Sequence, residues 1–214
     1  MAGSRLNLPN AITIGRIAAC PAIFLLALAP TVGPQIAAFV LFLAAAFSDL
    51  WDGYLARKHG LVTDVGKLLD PLADKLPLAS TFIPFYMISH RPGPAGEIPW
   101  WTVLPLWVMI VILGRELVVT LFRQWAVRRE VVIAAGASGK YKAFVQNLFS
   151  GGLLLWYPLQ SIARDVGWNS VPWRAFTALH ATWVGLTLSV AIILTVYSMI
   201  DYFWSYRALI GVRD

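Results

Sequence analysis

The chain has 214 residues, 58% of them apolar on the AVILMFWYC count and 13% charged, with a mean hydropathy of +0.68. Soluble globular domains carry about 25% charged residues, so this composition excludes a water-soluble globule, a disordered chain, a collagen-like chain and a coiled coil, and leaves a polytopic membrane protein. The excess of 17 Lys+Arg over 11 Asp+Glu suits anionic lipid or phosphate, and no nucleic-acid partner is expected. The single cysteine, Cys20, excludes a disulfide framework and a cysteine-cluster metal site, so any metal must be held by oxygen or nitrogen.

A membrane-crossing helix needs about 20 mostly apolar residues. Six windows meet that need, at about 10–30, 34–57, 67–89, 100–126, 140–163 and 178–203. The first contains Arg16 and is not followed by a small-residue cleavage site, which argues against a signal peptide. Proline and glycine mark turns at 30–34 and 91–96. The expectation is an all-α protein, one membrane domain over 1–214 with six transmembrane helices. Of the 17 basic residues, all but Arg91, Arg164 and Arg174 fall on one side of this arrangement. Lys and Arg stay on the cytoplasmic side, so both termini are expected there. Trp100, Trp101, Trp168 and Trp173 gather at the sparsely charged outer ends like an aromatic belt.

Four acids interrupt this pattern: Asp49 and Asp52 late in the second window, Asp70 and Asp74 early in the third. An isolated carboxylate near a bilayer centre costs about 2.5–3.5 kcal/mol, so such residues usually face a cavity and serve function. Asp49, Asp52 and Ala56 share one helix face, and Gly66, Asp70 and Asp74 another. Four carboxylates also repel one another, and a hard divalent cation in an all-oxygen site relieves that repulsion. Gly53 and Gly66 permit close approach of a phosphate, and Arg57 offers it a bidentate contact. His59 reads as a solvated loop residue, His90 and His180 as interfacial, and Cys20 as apolar filler.

Written out, the stretch is Asp49-Leu50-Trp51-Asp52-Gly53-Tyr54-Leu55-Ala56-Arg57, eight residues, Gly66, three residues, Asp70, three residues and Asp74. It resembles the signature of the CDP-alcohol phosphatidyltransferase family, six-helix membrane enzymes that release CMP. The resemblance implies two ions of Mg²⁺ or Mn²⁺ held by Asp49, Asp52, Asp70 and Asp74, with Asp74 also the general base. It further implies that Gly53, Ala56, Arg57 and Gly66 shape the pocket for the donor, CDP-diacylglycerol.

The acceptor must be read elsewhere. Leu8-Pro9-Asn10 with Thr13 and Arg16, Leu69-Asp70-Pro71-Leu72-Ala73-Asp74-Lys75, Gly114-Arg115-Glu116-Leu117 with Arg123, and Ser138-Gly139-Lys140-Tyr141-Lys142 with Gln146 are similar to the branch of that family whose acceptor is sn-glycerol 3-phosphate. The similarity runs over roughly 8–146, and the last third is not diagnostic. Arg115 lies deep in its window and needs an anion, which Glu116, about 100° round the helix, is not placed to meet squarely. Arg115, Arg123, Lys140 and Lys142 are therefore expected around the acceptor's phosphate, with Glu116 orienting an arginine. Arg128 and Arg129 suit equally a flank that meets anionic headgroups.

The expected reaction moves a phosphatidyl group from CDP-diacylglycerol to glycerol 3-phosphate in phospholipid biosynthesis. The expected setting is a bacterial cytoplasmic (inner) membrane with the site facing the cytoplasm. A homodimer is compatible with the sequence. A related enzyme with phosphatidylglycerol as acceptor, making cardiolipin, is the alternative inside the family. A divalent-cation transporter is the alternative outside it.

Overall fold

A computed structural model describes residues 8–59, 72–73, 75–129, 131 and 137–207, with backbone alone at 8–9, 50–59, 94 and 137–138. Among the described residues the fold is all helical, with six α-helices: α1 (Leu8–Leu28), α2 (Val32–His59), α3 (Leu76–Ser89), α4 (Leu106–Val127), α5 (Ala137–Val166) and α6 (Val171–Ser205). A 3₁₀ turn at Pro94–Gly96 and one isolated bridge between Ile98 and Thr102 complete it.

Three segments are long and apolar enough to cross a membrane, Asn10–Leu28, Val32–Asp49 and Val171–Ser205, and they mark a membrane protein. The other helices fall short for separate reasons. The described part of α3 has 14 residues, α4 carries Arg115, Glu116 and Arg123, and α5 mixes Gln146, Asn147, Ser150 and Gln160 into its apolar run.

Helix ends follow local chemistry. Gly167, at φ +73°, ends α5, and Trp168 N donates back to the Ala163 carbonyl at 2.8 Å, the glycine-terminated helix end that satisfies an orphan carbonyl. Ser170 then caps α6 by accepting from Trp173 N, with proline in the first turn. The helix expected from about residue 100 starts instead at Leu106. Trp100 (φ 69°) and Thr102 (φ 60°) both adopt the left-handed region in a tight turn closed by two hydrogen bonds between Ile98 and Thr102, and Pro105 sits at the helix boundary. The Trp100 indole lies against Gly185 of α6, where an added Cβ would come within 2.4 Å of the ring.

Helix α1 packs on α2 and α3, α2 on α5, α5 on α6, and α6 on α4. Their shared interior holds Ile23, Phe42, Phe82, Phe85, Ile112, Phe149, Leu153, Val184 and Leu188. Phe149 meets Phe82 at 5.3 Å and Phe85 edge-on at 5.7 Å, favourable geometries for aromatic pairs. Lipid tails are as apolar as these side chains, so close packing rather than escape from water holds helices together in a bilayer. The beginnings of α1, α3 and α5 and the ends of α2, α4 and α6 meet at one end of the bundle, around a cavity.

Candidate active site

The cavity has a volume of about 370 Å³. Its wall on one side is Asp49 from α2, with Phe42, Ala45, Ala46, Pro77 and Leu78 supplying an apolar floor. Arg115 and Arg123 from α4 and Lys140 and Lys142 from α5 give the same cavity a basic lining. The four residues expected to take the acceptor phosphate therefore line one space together with Asp49. Helical periodicity accounts for Lys142, because Lys142, Gln146, Phe149 and Leu153 share one face of α5 that is buried along its length, whereas Lys140 lies off that face and is exposed.

The charges are arranged in two groups. Arg16, buried on α1, pairs with Asp49, whose side chain is 48% exposed. Glu116 stands between two cations, accepting from Arg115 Nη1 at 3.2 Å and from Lys142 Nζ. This corrects the expectation that Glu116 is poorly placed for Arg115: the backbone directions diverge, but the long guanidinium side chain turns back to meet its neighbour. Even so, the pairing is incomplete. Nε of Arg115 and Nε of Arg123 are buried with no hydrogen-bond partner among the described residues. Buried donors left unmade are costly, and their presence on a cavity wall calls for an anion.

The helix α6 closes the cavity with Ser198, Asp201, Tyr202, Ser205 and Tyr206, none of which was singled out from the sequence. Tyr202 lies beside Arg123, whose guanidinium carbon is 5.7 Å from the ring centre. The Tyr202 hydroxyl is buried and makes no hydrogen bond of good geometry. The only signal available in sequence was a polar ring near the end of an apolar run, which is equally what an interfacial belt looks like.

Other expected site residues are placed only in part. Asp52, Gly53, Ala56 and Arg57 belong to α2, where their side chains are outside the description, and Gly66, Asp70 and Asp74 lie outside the described residues. Among the described residues no three His, Cys, Asp or Glu side chains gather as a metal site. The one acid of the motif that is described, Asp49, fits a hard cation by its chemistry: its carboxylate borders the cavity and already draws a cationic partner. His59 ends α2 instead of lying in a loop. His180 is half-buried, and its Nε2 is 2.9 Å from the Gly152 carbonyl of α5.

The CDP-alcohol phosphatidyltransferase family model matches residues 6–200, which include every cavity-lining residue named above except Asp201, Tyr202, Ser205 and Tyr206. The chain belongs to this family. It is 34% identical over 209 residues to the CDP-diacylglycerol--glycerol-3-phosphate 3-phosphatidyltransferase of Bacillus subtilis, covering 92% of this chain and 93% of the relative. It is 35% identical over 213 residues to a probable phosphatidylglycerophosphate synthase of Mycobacterium tuberculosis, covering 97% and 86%. A CMP-forming cardiolipin synthase of rice is 38% identical over 152 residues, covering 66% and 43%. As a CDP-alcohol phosphatidyltransferase the protein is a transferase of phospholipid biosynthesis, and the cation-transporter reading falls away.

Proposed function

We propose that this phosphatidyltransferase uses CDP-diacylglycerol as donor and sn-glycerol 3-phosphate as acceptor, giving phosphatidylglycerophosphate and CMP. The observation that carries the reading is the basic lining of the cavity: Arg115, Arg123, Lys140 and Lys142 border one space together with Asp49. A small dianion that arrives from water needs several fixed cations, and guanidinium groups bind phosphate bidentately. A lipid acceptor held by its own acyl chains needs fewer. Relatives that match most of this chain carry the glycerol 3-phosphate name, which supports the same choice.

In this reading Arg115 and Arg123 hold the acceptor phosphate, with Glu116 fixing Arg115 and Lys142 in place. The acceptor's primary hydroxyl is thereby turned toward the acidic side of the cavity. Asp74 takes the proton from that hydroxyl as its oxygen attacks the phosphatidyl phosphorus, the bond from that phosphorus to CMP breaks, and CMP leaves. Arg57 holds a donor phosphate oxygen, while Gly53, Ala56 and Gly66 leave room for the nucleotide. Asp49, Asp52, Asp70 and Asp74 would hold two Mg²⁺ or Mn²⁺ ions, which when bound neutralise charge on the diphosphate. The whole chain acts as one membrane domain of six spans with both termini cytoplasmic, in a bacterial inner membrane, with the cavity open to the cytoplasm, where the water-soluble acceptor resides.

The test is to offer purified protein CDP-diacylglycerol with radiolabelled glycerol 3-phosphate, phosphatidylglycerol, serine or inositol phosphate and to identify the lipid formed. Phosphatidylglycerophosphate is expected from glycerol 3-phosphate. Cardiolipin from phosphatidylglycerol, with glycerol 3-phosphate unused, would replace this reading by the cardiolipin one.

A further inference from the structure

Gln146 also lines the cavity, and unlike its cationic neighbours it is neutral. It stands on α5 one turn beyond Lys142, on the same buried face, just before that face turns apolar at Phe149. A buried amide is costly unless both its nitrogen and its oxygen find partners. The nitrogen is settled by α6. Thr195 Oγ1 spends its single proton on the Ala191 carbonyl at 2.6 Å, so toward Gln146 it can only accept, and it accepts from Gln146 Nε2 at 3.1 Å. That contact fixes which way the amide faces, because a turned amide would set its oxygen against a hydroxyl with no proton left to give. It is the one side-chain hydrogen bond that Gln146 makes among the described residues. The carbonyl Oε1 is not among the fully buried polar atoms that lack a partner, so it keeps an open surface, and it is the group that Gln146 offers to the cavity.

We propose that Gln146 reads the secondary hydroxyl of the acceptor and, through it, the acceptor's handedness. The inference rests on the glycerol 3-phosphate reading and deepens it. That acceptor carries a phosphate, a secondary hydroxyl and the primary hydroxyl that attacks. The basic lining takes the phosphate and the motif acids take the primary hydroxyl, but the mirror-image glycerol phosphate can make the same two contacts. A third contact is what separates the two hands. Arginine and lysine only donate, so the proton of the secondary hydroxyl needs an acceptor. Glu116 is already held by Arg115 and Lys142, and Asp49 by Arg16. The Gln146 carbonyl is uncommitted, and being neutral it accepts from a hydroxyl without repelling the phosphate next to it. Residues four apart on a helix stand about 5–6 Å from one another, which suits a phosphate held at Lys142 and a hydroxyl a few bonds away held at Gln146.

The test is to measure kcat/KM of the purified full chain, with CDP-diacylglycerol as donor, for four acceptors that all carry a phosphate and a primary hydroxyl. They are sn-glycerol 3-phosphate, its enantiomer sn-glycerol 1-phosphate, 3-hydroxypropyl phosphate, which lacks the secondary hydroxyl, and dihydroxyacetone phosphate, which has a carbonyl in its place. The wild type should favour the first over each of the others by roughly 10- to 100-fold, the effect of leaving a buried acceptor unpaired. Gln146→Met keeps the length of the side chain and removes its polar end. It should lower the value for sn-glycerol 3-phosphate by about that factor and the value for 3-hydroxypropyl phosphate far less, so that the preference collapses. Thr195→Val frees the amide to turn and should lose part of the preference, whereas Thr195→Ser should keep it. Equal use of all four acceptors by the wild type, or a preference that survives in both Gln146→Met and Thr195→Val, would overturn the proposal. So would an equal loss on every acceptor in Gln146→Met, which is what a purely structural role gives. In each of these outcomes sn-glycerol 3-phosphate is still used and the acceptor reading stands; no turnover of it by the wild type would remove that reading and this proposal together.

Discussion

On α5, Phe149 and Leu153 close the middle of the bundle among rings and branched side chains, while one and two turns earlier on the same face Gln146 and Lys142 are buried instead. On α6 the same change occurs in the opposite direction along the chain, from Val184 and Leu188 to Thr195, Ser198 and Tyr202. Gln146 donates to Thr195 at 3.1 Å where the two regions meet. The helices thus keep one buried face and change its chemistry along their length. The apolar half is closed by aromatic and branched side chains, and the cavity half leaves Arg115 Nε and Arg123 Nε buried with no hydrogen-bond partner among the described residues. On the proposed reading stability is concentrated in the first region and ligand binding in the second, so the two should respond differently to substitution.

The largest effect is expected at the acids. Asp49→Asn or Asp70→Asn should reduce activity to background while the protein still inserts and purifies, and chelator should do the same to the wild type, reversed by Mg²⁺ or Mn²⁺. Full activity in either variant would remove the metal assignment. Asp74→Asn should slow the chemical step by about 10² to 10⁴, as loss of a general base does, with CDP-diacylglycerol binding largely kept. If nucleotide binding disappears instead, Asp74 is chiefly a ligand.

The apolar half should show the converse. Phe149→Ala removes a fully buried ring and should cost about 3–5 kcal/mol of stability, read as a lower Tm in detergent, with the acceptor KM of the surviving protein unchanged. A raised acceptor KM without loss of Tm would mean that the division between the two regions is wrong. The smallest effect is expected from Tyr202→Phe, which deletes one hydroxyl. An average hydrogen bond contributes about 0.5–1.5 kcal/mol, so the acceptor KM should rise by roughly two- to tenfold with the donor KM steady. No change would make that hydroxyl a bystander.

Much of this division was visible in the sequence, because its strongest signals were residues out of place: four acids at the ends of apolar windows, and Arg115, Arg123, Lys140 and Lys142 in or beside others. A charge inside a span must find a cavity or a partner, which is why those basic residues could be grouped before any coordinates. Four features were not legible. The Arg16–Asp49 pair joins residues 33 positions apart through a helix packing that no local pattern encodes. The Arg115–Glu116 contact depends on side-chain bending that backbone periodicity ignores. The start of α4 at Leu106 depends on two non-glycine residues held at positive φ, a conformation that turn composition around Trp100 does not announce. The α6 wall was missed for a further reason: in a helix of 35 mostly apolar residues, a tyrosine that faces a cavity and one that faces lipid look alike.

The central claim is that the basic wall of the cavity holds the acceptor's phosphate, and it is tested most directly by the two Michaelis constants of Arg115→Ala and Arg123→Ala. Loss of one member of a buried charge pair costs about 2–5 kcal/mol. The KM for glycerol 3-phosphate should therefore rise by at least tenfold in each variant, at about 1.4 kcal/mol per decade, the KM for CDP-diacylglycerol should change little, and lysine at either position should restore only part of the loss. Arg57→Ala should show the opposite split, raising the donor KM. If Arg115→Ala and Arg123→Ala both leave the glycerol 3-phosphate KM unchanged, the phosphate is held elsewhere, and an acceptor already anchored in the bilayer becomes the better account of the cavity.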